Sequence, residues 1–407
     1  MHVVIIGGGA AGMAAAIAAA KRGRRVTVLE RGRKALKKLG VTGNGRGNLL
    51  NRGKAQYFGD ADFAKAVLQN MPYENIAAFL EEAGIPLVHE AEGRMYPSSY
   101  LAASAVDALK WQAEQLHVET VVNTRAVRIQ KTQKGFCVHA VRTLFAPDTT
   151  LKSGRVKPGE AIGEEEARYA CDRVIVAVGG AAAPIHGTDG TSYGLLTELG
   201  HTMTALHPAL SALTTNQKAV EGLSGQRVRA KLTLCAPDGT QLHASEGEAL
   251  FADDGVSGIA AMQLSRFAYE GCMLHMDLRP AITGAEDTDV SAWLARRMQA
   301  RDKRTLLTGA SSPALANALW RRAGHSTEKL AQVIADFTVP VTGVRGFESA
   351  QVTAGGIRTA EFDRATLESR LVPGVYAGGE LLDVDGACGG FNLMFSFACG
   401  LLAGGVE

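Results

Sequence analysis

A glycine-rich segment near the start of the chain is the feature that most constrains the fold. Residues 7–12 read Gly-Gly-Gly-Ala-Ala-Gly and match the pattern G-x-G-x-x-G. The β-branched run 3–6 predicts a buried strand before the segment, and the alanine-rich run 10–22 predicts a closely packed helix after it. A strand–turn–helix unit of this kind places dinucleotide phosphates at the helix N-terminus. The candidate cofactor-binding residues of this segment are Gly7, Gly9, Ala10, Ala11 and Gly12.

Each glycine of the motif has its own physical role. Gly7 permits a tight turn, Gly9 lets the backbone approach a pyrophosphate, and Gly12 lets the helix pack on the strand. Glu30 follows a second predicted strand, 25–29, where its carboxylate can accept hydrogen bonds from the ribose hydroxyls of an adenosine. The same carboxylate repels a 2′-phosphate, which disfavours NADP at this site. The unit alone does not distinguish NAD from FAD.

Three further segments favour FAD. Residues 42–48 place glycines around Asn and Arg after a basic stretch, which suits a loop that contacts phosphate or the flavin rim. Residues 174–180 predict a buried strand that ends in small residues, beside which a flat group can pass. Residues 375–380 predict a strand ending in a carboxylate that can hold ribityl hydroxyls, which NAD lacks. Candidates from these segments, from the basic stretch and from a strand predicted over 126–130 are Arg31, Lys38, Thr42, Gly43, Asn44, Gly45, Arg46, Asn48, Val127, Val178, Gly179, Gly180, Gly379 and Glu380.

Size and charge limit the class of protein. The 407 residues exceed what one core usually organises, so two or three domains are expected. Lys and Arg number 43 against 41 Asp and Glu, which predicts a small-molecule substrate and neither nucleic acid nor a membrane as partner. The apolar run 13–20 is too short to span a bilayer and no signal peptide is evident, which predicts a cytoplasmic protein. Cysteine and histidine spacing predicts no metal site, and nothing indicates an oligomeric state.

The order of the predicted elements indicates two bodies. Helices are predicted over 62–69, 74–83 and 101–115, and the polar run 147–167 predicts a solvated loop. From 226 to 251 polar and apolar residues alternate, which is typical of an antiparallel sheet with one wet face. Three amphipathic helices follow, and the glycine-rich style returns after 351. We predict an α/β, Rossmann-like FAD-binding domain over 1–200 and 346–407, with an insert over 201–345.

Together these segments resemble the two-dinucleotide-binding-type flavoproteins, and more narrowly the BaiN-like and aminoacetone-oxidase-like family of FAD-binding oxidoreductases. The resemblance runs nearly end to end, and its stretches are VVIIGGGAAGMAAAIAA, KKLGVTGNGRGNLLN, GRMYPSS, VIVAVGG, GTDGTSYGLLTELGH, FADDGVSG, VTAGGI and LVPGVYAGGELLDVDGACGGFNLMFSFACG. It implies an insert that is β-barrel-like over 201–280 and helical over 281–345. It also implies that the last helix faces the pyrimidine side of the flavin, and that the ring is lined by Asp385, Gly389, Gly390, Phe391, Asn392 and Leu393.

The chain departs from the family pattern at several positions. The family loop commonly reads S/T-G-x-G-R-C-N-x-T-N, but Gly47 stands for the Cys and Leu50 for the Thr. A thiol is therefore missing near the cofactor. Phe391 replaces a Tyr and loses its hydroxyl, and Ile259 follows the insert motif where Pro is common.

The resemblance implies an FAD-dependent oxidoreductase, and three functions stay open. The first is reduction of an organic, steroid- or bile-acid-like enone with NAD(P)H, through hydride transfer at flavin N5. The second is oxidation of a small amine such as aminoacetone, with oxygen as acceptor and peroxide as product. The third is a non-enzymatic flavin-binding redox protein. No second strand–GxGxxG–helix unit occurs. Either NAD(P)H visits the flavin transiently as electron donor, or oxygen or another donor takes its part.

The sequence identifies no catalytic acid or base. His186, His201 and His207 flank the predicted junction with the insert, but a hydrogen-bonded structural role explains each more simply. Cys388 precedes the last predicted helix, where a thiolate would be stabilised. Burial as a small residue beside a glycine pair is the simpler interpretation.

Overall fold

The computed structural model describes residues 1–150, 156–303 and 305–406. Within these residues the chain forms two compact units. The first, here called the dinucleotide unit, comprises residues 1–206 and 352–407, and the second, the insert unit, comprises residues 207–351.

The dinucleotide unit is built on a parallel sheet, here called the central sheet. In the described part of the chain its strands run in the spatial order Val375–Ala377, Arg173–Val176, His2–Ile6, Arg25–Leu29 and Glu119–Val121. All neighbouring pairs are parallel. The chain therefore starts in the middle, moves outward to one side and returns to the other. This order creates a topological switch point between the first strand and Arg173–Val176, where ligands of such sheets bind. The predicted α/β, Rossmann-like fold class is confirmed.

Small residues bring the first and last helices of this unit into close contact. Helix Ala10–Lys21 packs on helix Phe391–Gly405. A Cβ at Gly400 would lie 2.2 Å from the carbonyl oxygen of Ala11, and one at Gly404 would lie 2.2 Å from that of Ala15. The remaining helices of the unit are Ala61–Asn70, Tyr73–Glu82, Ala102–Gln115 and Gly194–Thr197.

An antiparallel sheet adjoins the central sheet and corrects one prediction. It comprises strands Thr124–Thr132, Gly135–Phe145 and Ala161–Cys171. The predicted solvated loop over 147–167 is wrong at its end, because Ala161–Cys171 pairs along its length with Gly135–Phe145. The side chains of this strand are mostly exposed, so its sequence resembles that of a loop. The strand forms because its backbone groups hydrogen-bond to the neighbouring strand. Residues 151–155 of that prediction lie outside the described residues.

Short strands complete the dinucleotide unit. They are Leu50–Asn51, Leu87–His89 and Arg94–Pro97 in one small sheet, Tyr57–Gly59 paired with Val384–Gly386, Thr149–Thr150 paired with Val156–Lys157, and Val352–Ala354.

The insert unit has its own hydrophobic core. Its sheet has the strand order Phe337–Pro340, Met273–Asp277, Arg227–Cys235, Gln241–Ala252, Gly255–Ser257, Leu213–Thr214 and Gly343–Val344. The first and last of these strands are separated by only two residues in the chain, so the sheet must curl until its edges come near each other. The unit also contains strand His207–Ala209 and helices Ile259–Leu264, Arg279–Thr283, Val290–Met298, Pro313–Arg322 and Thr327–Ala335.

Candidate cofactor site

The glycine-rich loop has the geometry that its motif requires. Gly7 has φ +103°, and a Cβ there would lie 2.3 Å from the carbonyl oxygen of Ala177. A Cβ at Gly12 would lie 1.8 Å from the carbonyl oxygen of Gly7, so these two glycines are needed by the fold itself. A Cβ at Gly9 would meet no protein atom within 4 Å. The open space therefore lies over Gly9, at the N-terminus of helix Ala10–Lys21, where a pyrophosphate fits.

Glu30 organises the turn beside this space. Its carboxylate oxygens accept hydrogen bonds from the backbone amides of Gly8 (2.8 Å) and Gly32 (2.6 Å). Burial raises the pKa of Glu30, and the two amide hydrogen bonds oppose that rise. A carboxylate oxygen has two lone-pair directions, so each can still accept a ribose hydroxyl. Its contact with a cofactor stays a prediction.

Thr353 ties together the turns at the switch point, and sequence reasoning missed it. Its Oγ1 accepts hydrogen bonds from the amides of Ala181 (2.8 Å) and Ala182 (3.0 Å). A Cβ at Gly180 would lie 2.4 Å from the same Oγ1, which explains a glycine there. Thr353 lies more than 170 residues from these partners, so no local pattern could reveal the contact.

Lys38 and Glu380, both candidates from the sequence, come together at this edge. The Lys38 Nζ lies 2.6 Å from Glu380 Oε2, and Glu380 Oε1 accepts a hydrogen bond from the amide of Thr353 at 3.0 Å. Both side chains are mostly buried, with exposed fractions of 28% and 15%. The positive charge of Lys38 offsets the negative charge of Glu380 near the strand ends. Because of this compensation, Glu380 would not repel a diphosphate bound there.

The loop over 42–48 is held in a conformation that depends on glycine. Gly43, Asn44 and Gly45 have φ of +58°, +55° and +81°, which is the left-handed region. Gly47 has φ +77°, and a Cβ there would lie 3.0 Å from the Cα of Ala102. A glycine in place of the family's cysteine therefore suits the close approach of helix Ala102–Gln115.

Two predicted cofactor-binding arginines have protein partners in this structure. The Arg46 guanidinium pairs with Glu90 (2.8 Å) and lies 4.7 Å from the ring centres of both Tyr96 and Tyr100. Arg31 pairs with Asp189 at 2.8 Å. Direct contact of either arginine with a cofactor stays a prediction.

The turn before the last helix is held by polar contacts from distant segments. Gly389 and Gly390 have φ of +128° and +105°, and helix Phe391–Gly405 begins directly after them. Asn51 is 4% exposed and its Nδ2 donates to the carbonyl of Gly389 at 2.8 Å. The Tyr57 hydroxyl donates to the carbonyl of Phe391 at 2.9 Å. Sequence reasoning missed both side chains, because nothing local marks a contact spanning more than 330 residues.

Asn392 serves the same turn. Its Oδ1 accepts a hydrogen bond from the amide of Gly386, and its Nδ2 donates to the carbonyl of Gly386, both at 2.8 Å. The Asn392 side chain therefore hydrogen-bonds to the backbone of Gly386. The N-terminus of helix Phe391–Gly405 is left available to a flavin. Asp385 is buried on the strand Val384–Gly386, and Leu393 is half-buried. Whether these residues contact a flavin ring stays a prediction.

The other sequence candidates lie on the same unit. Val178 and Gly179 are half-buried just beyond strand Arg173–Val176, and Gly379 has φ +82° with a Cβ position 3.1 Å from that of Ala11. Val127 lies at a register shift on strand Thr124–Thr132 and is 36% exposed. Its role in cofactor binding stays a prediction.

His201 has a complete set of partners. Its Nδ1 lies 2.7 Å from Glu361 Oε2 and its Nε2 lies 2.9 Å from Ser369 Oγ, while its ring stacks on Phe362. The side chain is fully buried. This geometry supports the structural interpretation, because no substrate can reach the ring.

The surroundings of Cys388 disfavour its thiolate form. Burial raises its pKa, and nearby Arg94 lowers it by less. We expect Cys388→Ala to retain full FAD content and the wild-type rate of flavin reduction in anaerobic stopped flow. A loss of reduction rate above about tenfold, which equals 1.4 kcal/mol, would restore a chemical role for the thiol.

In the part of the chain that the structure describes, no group of three or more His, Cys, Asp or Glu side chains could hold a metal ion. Across the same residues, every helix is too short or too polar to cross a membrane.

The fold is Rossmann-like, and comparison with known proteins supports an FAD-dependent oxidoreductase. The chain matches the family described as HI0933-like protein Rossmann domain over residues 1–406, and it belongs to that family. It is 31% identical to the 3-dehydro-bile acid delta(4,6)-reductase of Clostridium scindens, with 99% of this chain and 98% of that protein covered. It is 26% identical to the ribosomal RNA dihydrouridine synthase of Escherichia coli, with 97% and 95% covered. A solved flavocytochrome c3 fumarate reductase aligns with a TM-score of 0.48 at 14% identity, covering 99% of this chain and 77% of that one.

Proposed function

We propose that this protein reduces a carbon–carbon double bond conjugated with a carbonyl group in a small organic molecule, with NAD(P)H as electron donor. The observation that carries the proposal is the 31% identity to a bile-acid delta(4,6)-reductase over nearly the whole of both chains. That relative's name describes saturation of double bonds in a steroid acid with an oxidised 3-position. A steroid-like enone is therefore the first substrate class to test.

The second relative supports the same reaction class. A dihydrouridine synthase saturates the 5,6 double bond of uracil, which is also conjugated with a carbonyl group. Both reactions add a hydride to one carbon of the double bond and a proton to the other. The shared reaction, rather than either substrate, is what the two relatives have in common.

The residues of this chain fit that chemistry. Bound FAD supplies the hydride transfer. In the arrangement that the resemblance implies, the N-terminus of helix Phe391–Gly405 would face the pyrimidine side of the flavin and would favour negative charge there. Asn51 and Tyr57 hold that helix start in place from a distant part of the chain. The ion pair between Lys38 and Glu380 lies at the strand ends beside the predicted dinucleotide site.

Anaerobic stopped flow tests the proposal. The flavin of the wild-type protein should lose its oxidised absorbance rapidly on mixing with NADH or NADPH. It should recover that absorbance on mixing with a 3-oxo bile acid that carries 4,6 double bonds, and mass spectrometry should show product heavier by two hydrogens per bond reduced. Bleaching by aminoacetone alone, with peroxide formed on admission of oxygen, would instead establish an amine oxidase.

RNA is a second candidate substrate, favoured by the 26% identity to the ribosomal RNA enzyme. The nearly equal counts of 43 basic and 41 acidic residues favour the small molecule, because RNA binding usually draws on an excess of positive charge. Incubating the reduced protein with unmodified ribosomal RNA and measuring dihydrouridine in the digest separates the two. Dihydrouridine formation without enone reduction would replace the small-molecule proposal.

A further inference from the structure

One segment of the dinucleotide unit connects the carboxyl ends of the two strands on either side of the first strand. Residues 181–191, here called the strap, follow the strand Arg173–Val176. Their polar contacts reach Arg31 and Lys37, which follow the strand Arg25–Leu29. In the central sheet the strand His2–Ile6 lies between those two strands. The strap therefore passes the carboxyl end of the first strand, where the glycine-rich loop begins.

The strap has a defined shape. Ala183, Gly187 and Gly190 all have positive φ, of +55°, +108° and +80°, and mark successive turns. Asp189 Oδ1 accepts hydrogen bonds from the amide (3.1 Å) and the hydroxyl (2.6 Å) of Thr191. The Thr188 hydroxyl donates to the carbonyl of Gly180. The strap is therefore an ordered series of turns fixed by its own hydrogen bonds.

Hydrogen bonds and an ion pair from Arg31, Lys37 and Lys38 fasten the strap to the segment that follows strand Arg25–Leu29. Arg31 Nη1 lies 2.8 Å from Asp189 Oδ1, and Lys37 Nζ donates to the carbonyl of Ile185 at 2.7 Å. Lys38 Nζ lies 3.4 Å from the carbonyl of Ala182. Burial opposes ionisation of Asp189, but hydrogen bonds from Arg31 and Thr191 lower its pKa to about 2. The carboxylate is charged at neutral pH, so the ion pair is intact there.

We propose that the strap is a clasp that retains FAD, with Arg31–Asp189 as its fastening, so that the cofactor leaves only when this ion pair opens. The inference rests on FAD occupying the space over Gly9. It makes Arg31 a positioning residue that acts through Asp189, in place of a direct phosphate ligand. It also makes FAD a resident group of this protein that exchanges slowly.

The test measures the rate at which purified holoprotein releases FAD during continuous dialysis, with the released FAD measured by its fluorescence. Arg31→Met and Asp189→Asn are the test variants, and the asparagine keeps the oxygen that accepts from Thr191. An exposed ion pair contributes up to about 1 kcal/mol, so each variant should release FAD about fivefold faster. The double variant should release it no faster than either single one. Raising the salt concentration should accelerate release from the wild type and leave the variants unchanged.

The matched control is Arg33→Met. Arg33 pairs with Asp148 at 3.2 Å and lies over the ring of Phe145, so it makes an ion pair of similar exposure that does not touch the strap. Its release rate should equal that of the wild type. Lys37→Met, which removes the bond to Ile185, gives a second fastening to test and should also accelerate release.

The outcomes separate the clasp from its alternatives. Additive acceleration in the Arg31 and Asp189 variants would mean that each residue contacts FAD independently, and this would overturn the clasp. Unchanged release in both variants would overturn it as well. A wild-type protein that binds no FAD would refute the flavoprotein assignment itself, which is a different failure.

Discussion

Gly9→Val is expected to abolish FAD binding while leaving the protein folded. A Cβ at Gly9 meets no protein atom within 4 Å, and the residue has φ −80°, which valine adopts without strain. The two γ-methyl groups would occupy the space over the helix N-terminus that the pyrophosphate needs. Absorbance and fluorescence titration with FAD measure binding, and circular dichroism with thermal unfolding measures the fold. A folded variant with full flavin would contradict the placement of the cofactor.

Two other glycines provide matched controls. Gly163→Val also adds its Cβ to open space, but on the exposed strand Ala161–Cys171, so FAD affinity and stability should be unchanged. Gly12→Val adds a Cβ 1.8 Å from the carbonyl oxygen of Gly7, so it should prevent helix Ala10–Lys21 from packing and give little folded protein. The contrast between positions 9 and 12 separates a glycine needed by the ligand from one needed by the fold.

Asn51→Leu is expected to give the second large effect. Asn51 Nδ2 donates to the carbonyls of Gly389 (2.8 Å) and Glu92 (3.2 Å), and its Oδ1 accepts from the amide of Gly53 (2.6 Å). Leucine has a similar volume but leaves these backbone groups without a partner, at a cost of about 1–3 kcal/mol each. We expect a free energy of unfolding lower by about 3 kcal/mol and a weaker hold on FAD by about tenfold. Denaturant unfolding and flavin titration measure the two effects.

The control for this substitution is Asn70→Leu. Asn70 is exposed and donates from Nδ2 to the carbonyl of Ala66 at 2.9 Å. Its replacement should change stability by less than about 0.5 kcal/mol and leave flavin affinity unchanged. Equal effects at the two positions would show that Asn51 has no special role at the turn.

Sequence patterns predicted the central strands and helices well, because in these elements the local pattern of residues itself determines the structure. Residues 3–6 and 25–29 form buried parallel strands because β-branched runs of that length suit a sheet covered on both faces. The alanines of helix Ala10–Lys21 and the glycines of the last helix allow the close packing seen at Gly400 and Gly404. The strand Ala161–Cys171 was missed, because its exposed side chains conceal a backbone that is paired with its neighbour along most of its length.

The sequence by itself determined the dinucleotide fold and predicts where a pyrophosphate binds, because a glycine motif between a strand and a helix acts within a few residues of backbone. Only the tertiary structure decided how the site is held together. Asn51 meets Gly389, Thr353 meets Ala181, and Asp189 meets Arg31 across separations that no local pattern encodes. The Asp189–Arg31 contact, for example, forms because the parallel strand order brings the segments after strands Arg173–Val176 and Arg25–Leu29 to the same edge of the central sheet. Chain topology therefore decides which distant residues lie around the predicted cofactor site, whereas the local sequence decides the glycine-rich loop.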